Sequence, residues 1–406
     1  TSLAIGEMRE GSARFRLRAK SLLGAAKLTF TGSMADKSSS YSTELSVRPP
    51  VAYRSSLQAG FFRGGTKEVA ITRTLYPQYR EIRAGISSLP LVLARGLLGY
   101  LEKFPYGCTE QLVSQAMPAI VLYDRPEFGF APEQSQKTLA RIIGILRSRQ
   151  NGDGAFGLWA ANSGVSEFAS VYAVHFLLEA KERHFPVPPD ILESSMHYLR
   201  QLAATEGADL PAERVRAYAV YLMTRNGMNT SNYLAGLQNR LEAKSPKVWE
   251  KDLTGIYMAA TYKMLKQDAI ADKLIGLSRP GEQVAADYDH YYDGLIRNAQ
   301  LVTILAEHFP DRLSRLNGED ILALVKPLQG GSYNTLSSAY TILALDVYAN
   351  GVKTVQAGKF SASEILAGGA AKPLALSGGL FPQADFSAKV RKFDFPPTDH
   401  SMPSTW

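Results

Sequence analysis

The stretch "GAFGLWAANSGVSEFASVYAVHFL" (residues 154–177) returns in shortened form as "GSYNTLSSAYTILAL" (331–345). Both run glycine, small residue, aromatic, then a polar loop, then a helix reading S-x-Y-[A/T]-[V/I]-x-x-L. The pattern falls on Ser170, Tyr172, Ala173, Val174 and Leu177 in the first copy. In the second it falls on Ser338, Tyr340, Thr341, Ile342 and Leu345. A helical pair cannot bury its own apolar face, so repeated pairs stack on one another or close on themselves. Small residues beside the aromatic let helices approach closely around a central axis. An α/α toroid is the favoured arrangement, with an open solenoid as the alternative.

Outward from these copies, helical spacing governs everything from Ser87 to about residue 350. "SSLPLVLARGLLGYLEKF" (87–104) offers serine as a cap and Pro90 in a first turn, then leucines at three- and four-residue intervals. Further amphipathic helices are expected at 133–147, 166–181, 189–204, 211–226, 249–265, 291–308 and 333–349, with no comparable strand between them. Residues 1–80 read differently. "ARFRLRA" (13–19) alternates strictly, Phe15 and Leu17 on one face and Arg14, Arg16 and Arg18 on the other. "KLTFT" (27–31), "YSTELSVRP" (41–49) and "KEVAITRTL" (67–75) are similarly strand-like, with turn residues between them. Strand-like pieces return after Gly351, in "KFSASEIL" (359–366) and "FSAKVRKFDF" (386–395). Strands, helices and strands again imply a helical domain inserted into a β-sandwich, leaving it near residue 85 and rejoining it near 355.

Composition narrows the functional classes. The 406 residues are 45% hydrophobic and 20% charged, ordinary for a globular protein. Length points to two or three domains. The net charge of +7 comes from basic residues that are scattered, which argues for a solvated surface and against a nucleic-acid face. No apolar run approaches the roughly 18 residues that a membrane helix requires. The chain starts at Thr1 with no signal-like segment after it, and reads as a fragment or processed form.

Cys108 is the one cysteine, so neither an intrachain disulfide nor a cysteine-based zinc site is available. It lies in "FPYGCTEQLVSQAMPAIVLYD" (104–124), at the start of a helical pattern, with Gln111 three positions on. Residues i and i+3 of a first turn face each other, which brings the sulfur within reach of the Gln111 carboxamide carbon. A helix N-terminus favours a thiolate. Attack with loss of ammonia would leave an internal thioester, a stored acyl group that survives where water is excluded. Phe104, Tyr106 and Tyr123 supply shielding bulk near it, and Gly107 lets backbone pack beside the sulfur. The other reading is a cysteine that acts as a small buried hydrophobe.

"YGCTEQLVSQAMPAIVLY" resembles the thioester segment of the α2-macroglobulin/complement family, whose motif is C-x-E-Q, and the threonine form is similar to the bacterial branch. "RSRQNGDGAFGLWAANSGVSEFASVYAVHFLLEA" (147–180) resembles that family's Q-x-x-D-G-x-F loop and the helix after it. "HYYDGLIRNAQLVTILAEHFP" (290–310) looks like a later helix of the same domain, and "ELSVRPPVAYRS" (44–55) like a junction into a CUB-type sandwich. The resemblance implies a multidomain α + β chain. Residues 1–48 would end a macroglobulin-like β-domain, and 49–85 and 355–385 would form a CUB-like sandwich. Residues 86–354 would be an α/α-toroid thioester domain, and 386–406 would begin a further macroglobulin-like domain.

It also implies a role: not an enzyme, but an inhibitor that captures attacking proteases covalently through a single-use bond between Cys108 and Gln111. Glu110 would support that bond, and Phe104 and Tyr106 would shield it. The acceptor would be a protease lysine amine, released to react after a bait segment is cut. The family resemblance further implies a periplasmic protein, lipid-anchored to the inner membrane outside this segment and linked with a penicillin-binding protein. No cofactor is implied. Complement relatives that prefer hydroxyl targets use a histidine that would fall near 207–216, "GADLPAERVR", where none stands; direct aminolysis is therefore expected.

Other constellations compete less well. Asp287, Asp289, His290 and Asp293 in "DYDHYYDG" could face a cation, or could be charge before a helix. His175, His184, His197, His308 and His400 stand singly. Toroids with Q-x-x-D-G-x-F loops also house terpene cyclases, but the acidic or zinc cluster those need is absent. A cysteine protease would leave Gln111 unexplained. A partner-binding scaffold without a functional thioester is the remaining alternative.

Overall fold

A computed structural model describes residues 2–18, 24–47, 57–60, 66–70, 82–351, 359–365 and 369–385. In chain order its helices are α1 (Ala94–Lys103), α2 (Thr109–Val121), α3 (Pro132–Arg149), α4 (Glu167–Glu182), α5 (Pro189–Ala204), α6 (Leu210–Arg225) and α7 (Ser231–Lys244). They continue as α8 (Val248–Lys251), α9 (Leu253–Met264), α10 (Asp268–Ile275), α11 (Gly294–His308), α12 (Pro310–Leu313), α13 (Gly318–Gln329) and α14 (Thr335–Gly351). The strands are β1 (Gly24–Met34), β2 (Lys37–Val47), β3 (Arg83–Gly85), β4 (Gly157–Ala160), β5 (Ser163–Val165), β6 (Ala362–Glu364), β7 (Lys372–Leu374) and β8 (Gln383–Asp385).

Neighbour relations among the helices are cyclic. α2 packs on α4, α4 on α6, α6 on α9, α9 on α11, α11 on α14, and α14 returns against α2. Other helices lie against these from outside: α3 on α2, α5 on α4 and α6, α7 on α6, α10 on α9, α13 on α11 and α1 on α14. Side-chain pattern explains the division, because a helix that is apolar all round must be enclosed. α4 buries every residue from Ala169 to Ala180, and α14 every residue from Thr335 to Asp346. Outer helix α3 instead buries one stripe: Ser135, Leu139, Ile142, Ile143 and Leu146.

Residues at equal depth in the inner helices meet. The Tyr172 and Tyr340 rings lie 5.1 Å apart, Tyr218 stacks on Tyr257 at 4.6 Å, and the Tyr218 and Tyr340 hydroxyls are 3.0 Å apart. The inner helices therefore run the same way, with their N-termini at one end. Ser166, Asp209, Asp252 and Asp293 cap four of them, accepting from the N–H groups of Ala169, Ala212, Thr254 and Ile296. Asn334 does the same for α14 through the Ser337 N–H at 2.8 Å. Such caps satisfy first-turn donors that have no partner within the helix.

The aligned loop of the first repeat has a packing reason. Gln150 Nε2 donates to the carbonyls of Gly154 and Ile191 and to Ser195 Oγ, tying the loop to α5. Gly154 has φ +87 and lies so close to α5 that a Cβ would meet Ser194 O at 1.9 Å, so only glycine fits. Phe156 is fully buried, its N–H donating to Ser170 Oγ.

Three expectations need revision. A short antiparallel hairpin, β4–β5, interrupts the helical zone where no strand was expected; its strands are three or four residues long, too short for a period to register. Residues 13–18 form no strand, although Phe15 packs on Phe30 at 5.5 Å. Residues 67–70 are irregular, while 71–75 and 386–395 lie outside the described residues. Elsewhere, β1 and β2 pair over their whole length, from Gly24 opposite Val47 to Met34 opposite Lys37. β6 pairs with β7, and β3 pairs with β8, setting Arg83 opposite Asp385. The strands just before and well after the helices thus meet. Arg95 Nη2 donates to Phe381 O at 3.0 Å and Ser87 Oγ to Leu380 O at 2.7 Å, pinning the returning chain to the first helices.

Candidate functional site

Where its companions carry serine, aspartate or asparagine, α2 begins with Cys108. The Gln111 N–H donates to the Cys108 sulfur, and the Cys108 N–H donates to Gln111 Oε1 at 3.1 Å. This is the reciprocal geometry of a capping box, made by a thiol and a carboxamide. Cys108 is half-buried and bonded to no other cysteine. The sequence-based placement of Cys108, Glu110 and Gln111 on one first turn is reproduced.

The expected depression of the thiol pKa is not. Burial pushes Cys108 above its ordinary value, the Gln111 and Glu110 N–H groups pull it down, and the Glu110 charge pushes it up again; the net shift is upward. Helix-terminal amides act in the anticipated direction but lose to desolvation and a neighbouring carboxyl.

A second set of contacts holds the turn. Thr109 Oγ1 donates to Gly157 O at 2.6 Å, joining the first residue of α2 to β4. Arg149, the last residue of α3, donates to Gly107 O at 3.0 Å, Leu158 O at 2.9 Å and Thr109 Oγ1 at 3.1 Å. Gln115 Nε2 reaches back to the carbonyls of Phe104 and Tyr106. The loop entering Cys108 is thereby fixed from α2 itself, from α3 and from β4.

Glu110 is 6% exposed. Its Oε1 accepts from Ser114 Oγ at 2.7 Å and Thr335 Oγ1 at 3.0 Å, and Oε2 accepts from Thr335 at 3.2 Å. Burial raises its pKa, against the lowering effect of these two hydroxyls. Beside Glu110 and Gln111 opens a cavity of about 220 Å³, walled by Tyr100, Phe104, Tyr288 and Tyr291. Burial lifts the Tyr100 hydroxyl to about 12. Tyr291 sits at φ +55 and stacks on Phe168 at 4.3 Å, which turns a left-handed residue to account in aiming its ring.

Of the expected shielding residues, Phe104 lines this cavity, its ring 5.8 Å from that of Tyr100. Tyr106 is 65% exposed, in a T-shaped contact with Phe104. Tyr123 does not reach the site at all: it follows the C-terminal end of α2 and packs on Phe185. The residues missed were Tyr100, Tyr288, Tyr291, Arg149 and Thr335. Tyr288 and Tyr291 were in view, inside "DYDHYYDG", but the acids of that stretch drew the reading.

Two of those acids make structural contacts. Asp293 caps α11, and both Asp287 oxygens lie 2.9 Å from His290 Nδ1. No metal-like cluster exists among the described residues. His175 is buried between Tyr218, Glu179 and Arg225, and His197 is an exposed partner of Gln201. His308, with its pKa lowered to about 4 by burial and Arg225, contacts Tyr221. His400 lies outside the described residues.

No protein-family model matches the chain. Among curated proteins it is 37% identical over 409 residues to the alpha-2-macroglobulin homolog of Yersinia pestis, covering 97% of this chain and 20% of that one. It is 32% identical over 372 residues to the alpha-2-macroglobulin of Rickettsia conorii, covering 87% and 20%. The chain thus spans about a fifth of the length of these relatives. Among solved structures, native Escherichia coli alpha-2-macroglobulin superposes with a TM-score of 0.64 at 18% identity, over 90% of this chain and 59% of that one. Salmonella alpha-2-macroglobulin reacted with methylamine gives 0.58 at 18%, over 90% and 24%. Shared fold with these structures and shared sequence with the curated relatives agree: the chain belongs to the α2-macroglobulin family.

Proposed function

We propose that this segment is the thioester-bearing part of a bacterial α2-macroglobulin, an inhibitor that captures proteases covalently and is spent in doing so. What supports the reading is the reciprocal capping of Cys108 and Gln111, which folds a thiol and a carboxamide over one turn. Thioester formation joins Sγ to the Gln111 Cδ; the amide nitrogen leaves as ammonia and takes up the thiol proton. Arg149, Gln115 and Thr109 hold the entering loop still, so that proximity substitutes for an activated thiolate. The raised thiol pKa suits storage, because a more basic sulfur leaves more slowly.

On this reading the cyclic inner helices are an α/α toroid inserted in a CUB-like sandwich to which β3, β6, β7 and β8 belong, and β1 and β2 fall in 1–48, the end of a macroglobulin-like domain; the start of a further one, expected at 386–406, lies outside the described residues. A protease lysine would be the acceptor, attacking directly, since His197 sits exposed on an outer helix and the 207–216 stretch has no histidine. The solved relatives reacted with methylamine and activated by porcine elastase are consistent with amine acceptors and protease triggers. Periplasmic location, a lipid anchor outside this segment and a penicillin-binding protein partner complete the reading. The test is thiol titration of the full-length protein under native conditions. Cys108 is expected to be silent until methylamine is added and then to appear as one thiol. Gln111→Glu is expected to expose the thiol from the start. A thiol that titrates fully without methylamine overturns the proposal.

A further inference from the structure

Most buried carboxylates in this fold are paired with cations; Asp293 instead caps α11, and Glu110 does neither. Glu179 meets Arg183 and Arg225, Glu213 meets Arg240, Asp252 meets Arg214, and Asp346 meets Arg125. Glu110 is as buried as these and forms no ion pair among the described residues; its only partners are the hydroxyls of Ser114 and Thr335. Oε2 has a single contact, at 3.2 Å, which leaves it acceptor capacity. The groups whose charges act on Glu110, or are acted on by it, come from α1, α4, α14, the segment before α11 and α2 itself. They are Cys108, Tyr100 of α1, Tyr172 of α4, Tyr340 of α14 and Tyr291. None is cationic. A buried carboxylate is costly without a counter-charge, and this one lines a cavity walled by aromatic rings, the surroundings that attract an organic cation.

We infer that Glu110 and the Tyr100, Tyr288 and Tyr291 rings form the docking point of the attacking primary ammonium, and that Glu110 takes its proton. This rests on the thioester reading above. An ammonium is not a nucleophile until it is deprotonated, so a base beside Gln111 is needed. One proton passes from the ammonium to Glu110 Oε2. The freed amine attacks Gln111 Cδ, the N–C bond forms, the C–S bond breaks and its electron pair goes to Sγ of Cys108. The second nitrogen proton goes to that sulfur, giving amide and thiol, and Glu110 releases its proton to water. The upward shift that burial gives Glu110 moves it toward the basicity such a role requires.

The experiment compares methylamine, an ammonium at neutral pH, with hydroxylamine, which is uncharged there, by the rate of thiol release from the full-length protein. Glu110→Gln is expected to slow methylamine roughly 100-fold while hydroxylamine changes less than about threefold. Equal loss with both nucleophiles, or no loss with methylamine, overturns the inference. If Glu110→Gln does not fold or form the thioester, the wild-type protein decides. Tetramethylammonium chloride is then expected to slow methylamine beyond the effect of equal sodium chloride; no such inhibition overturns the inference. A wild-type protein that reacts with methylamine but shows neither effect sinks this inference alone. One whose Cys108 titrates untreated sinks the thioester reading itself.

Discussion

Glu179 and Glu110 are carboxylates enclosed by the same ring of helices, and the fold treats them in opposite ways. Glu179 is near the C-terminal end of α4, where Arg183 and Arg225 contact it and His175 lies 3.1 Å away. Asp346, Arg125, Glu307 and His308 crowd the same end, from the last turns of α14 and α11 and the segment after α2. Burial would raise the Glu179 carboxyl, but Arg225 and Arg183 hold it well below the usual range. Glu110, in the first turn of α2, has hydroxyl partners, a raised pKa and open space beside it. One end of the ring is closed by its own charges; the other keeps a charge uncompensated. On the proposed reading, the difference marks the end that meets the attacking amine.

The comparison breaks most easily at its strong end. Glu179→Gln strands two arginines in the interior and is expected to cost about 3–5 kcal/mol, read from denaturant unfolding. A loss no larger than a surface mutation would mean that the cluster is not holding the helices together. Glu110→Gln removes a charge that was never paired and keeps an acceptor for Ser114 and Thr335, so its cost should stay within about 1 kcal/mol.

The pH dependences sharpen the contrast. Glu110 has its folded pKa raised, so the folded state binds the extra proton. Its contribution favours folding at low pH and is lost as pH rises from the ordinary glutamate value through the raised one. Glu179 has its folded pKa depressed, so its contribution is present above the ordinary value and disappears as pH falls through the depressed one. Subtracting the stability profile of Glu110→Gln from that of the wild type should leave a difference that declines with rising pH; a rising difference would reverse the assignment.

Much of this was legible before any coordinates. The S-x-Y repeat identified α4 and α14, which lie in the inner ring, because enclosed helices must carry small and aromatic residues on every side. Cys108 and Gln111 were readable because i, i+3 spacing at a helix start is a local property. The cavity was not, since Tyr100, Tyr291 and Thr335 come from α1, the segment before α11 and the start of α14, which meet only because α1 and α11 both pack on α14. The thiol pKa was misjudged for a related reason: the helix N-terminus and Glu110 are both visible in sequence, whereas burial, the largest influence, is tertiary. Tyr123 failed as a shield because nearness along a helix of thirteen residues is not nearness in space.

The most direct test of the central claim is the accurate mass of freshly purified, untreated full-length protein. A thioester between Cys108 and Gln111 predicts a mass lower than that of the translated sequence by one ammonia, changing to a methylamide after methylamine. The full sequence mass, with Cys108 alkylated at once under native conditions, would contradict it.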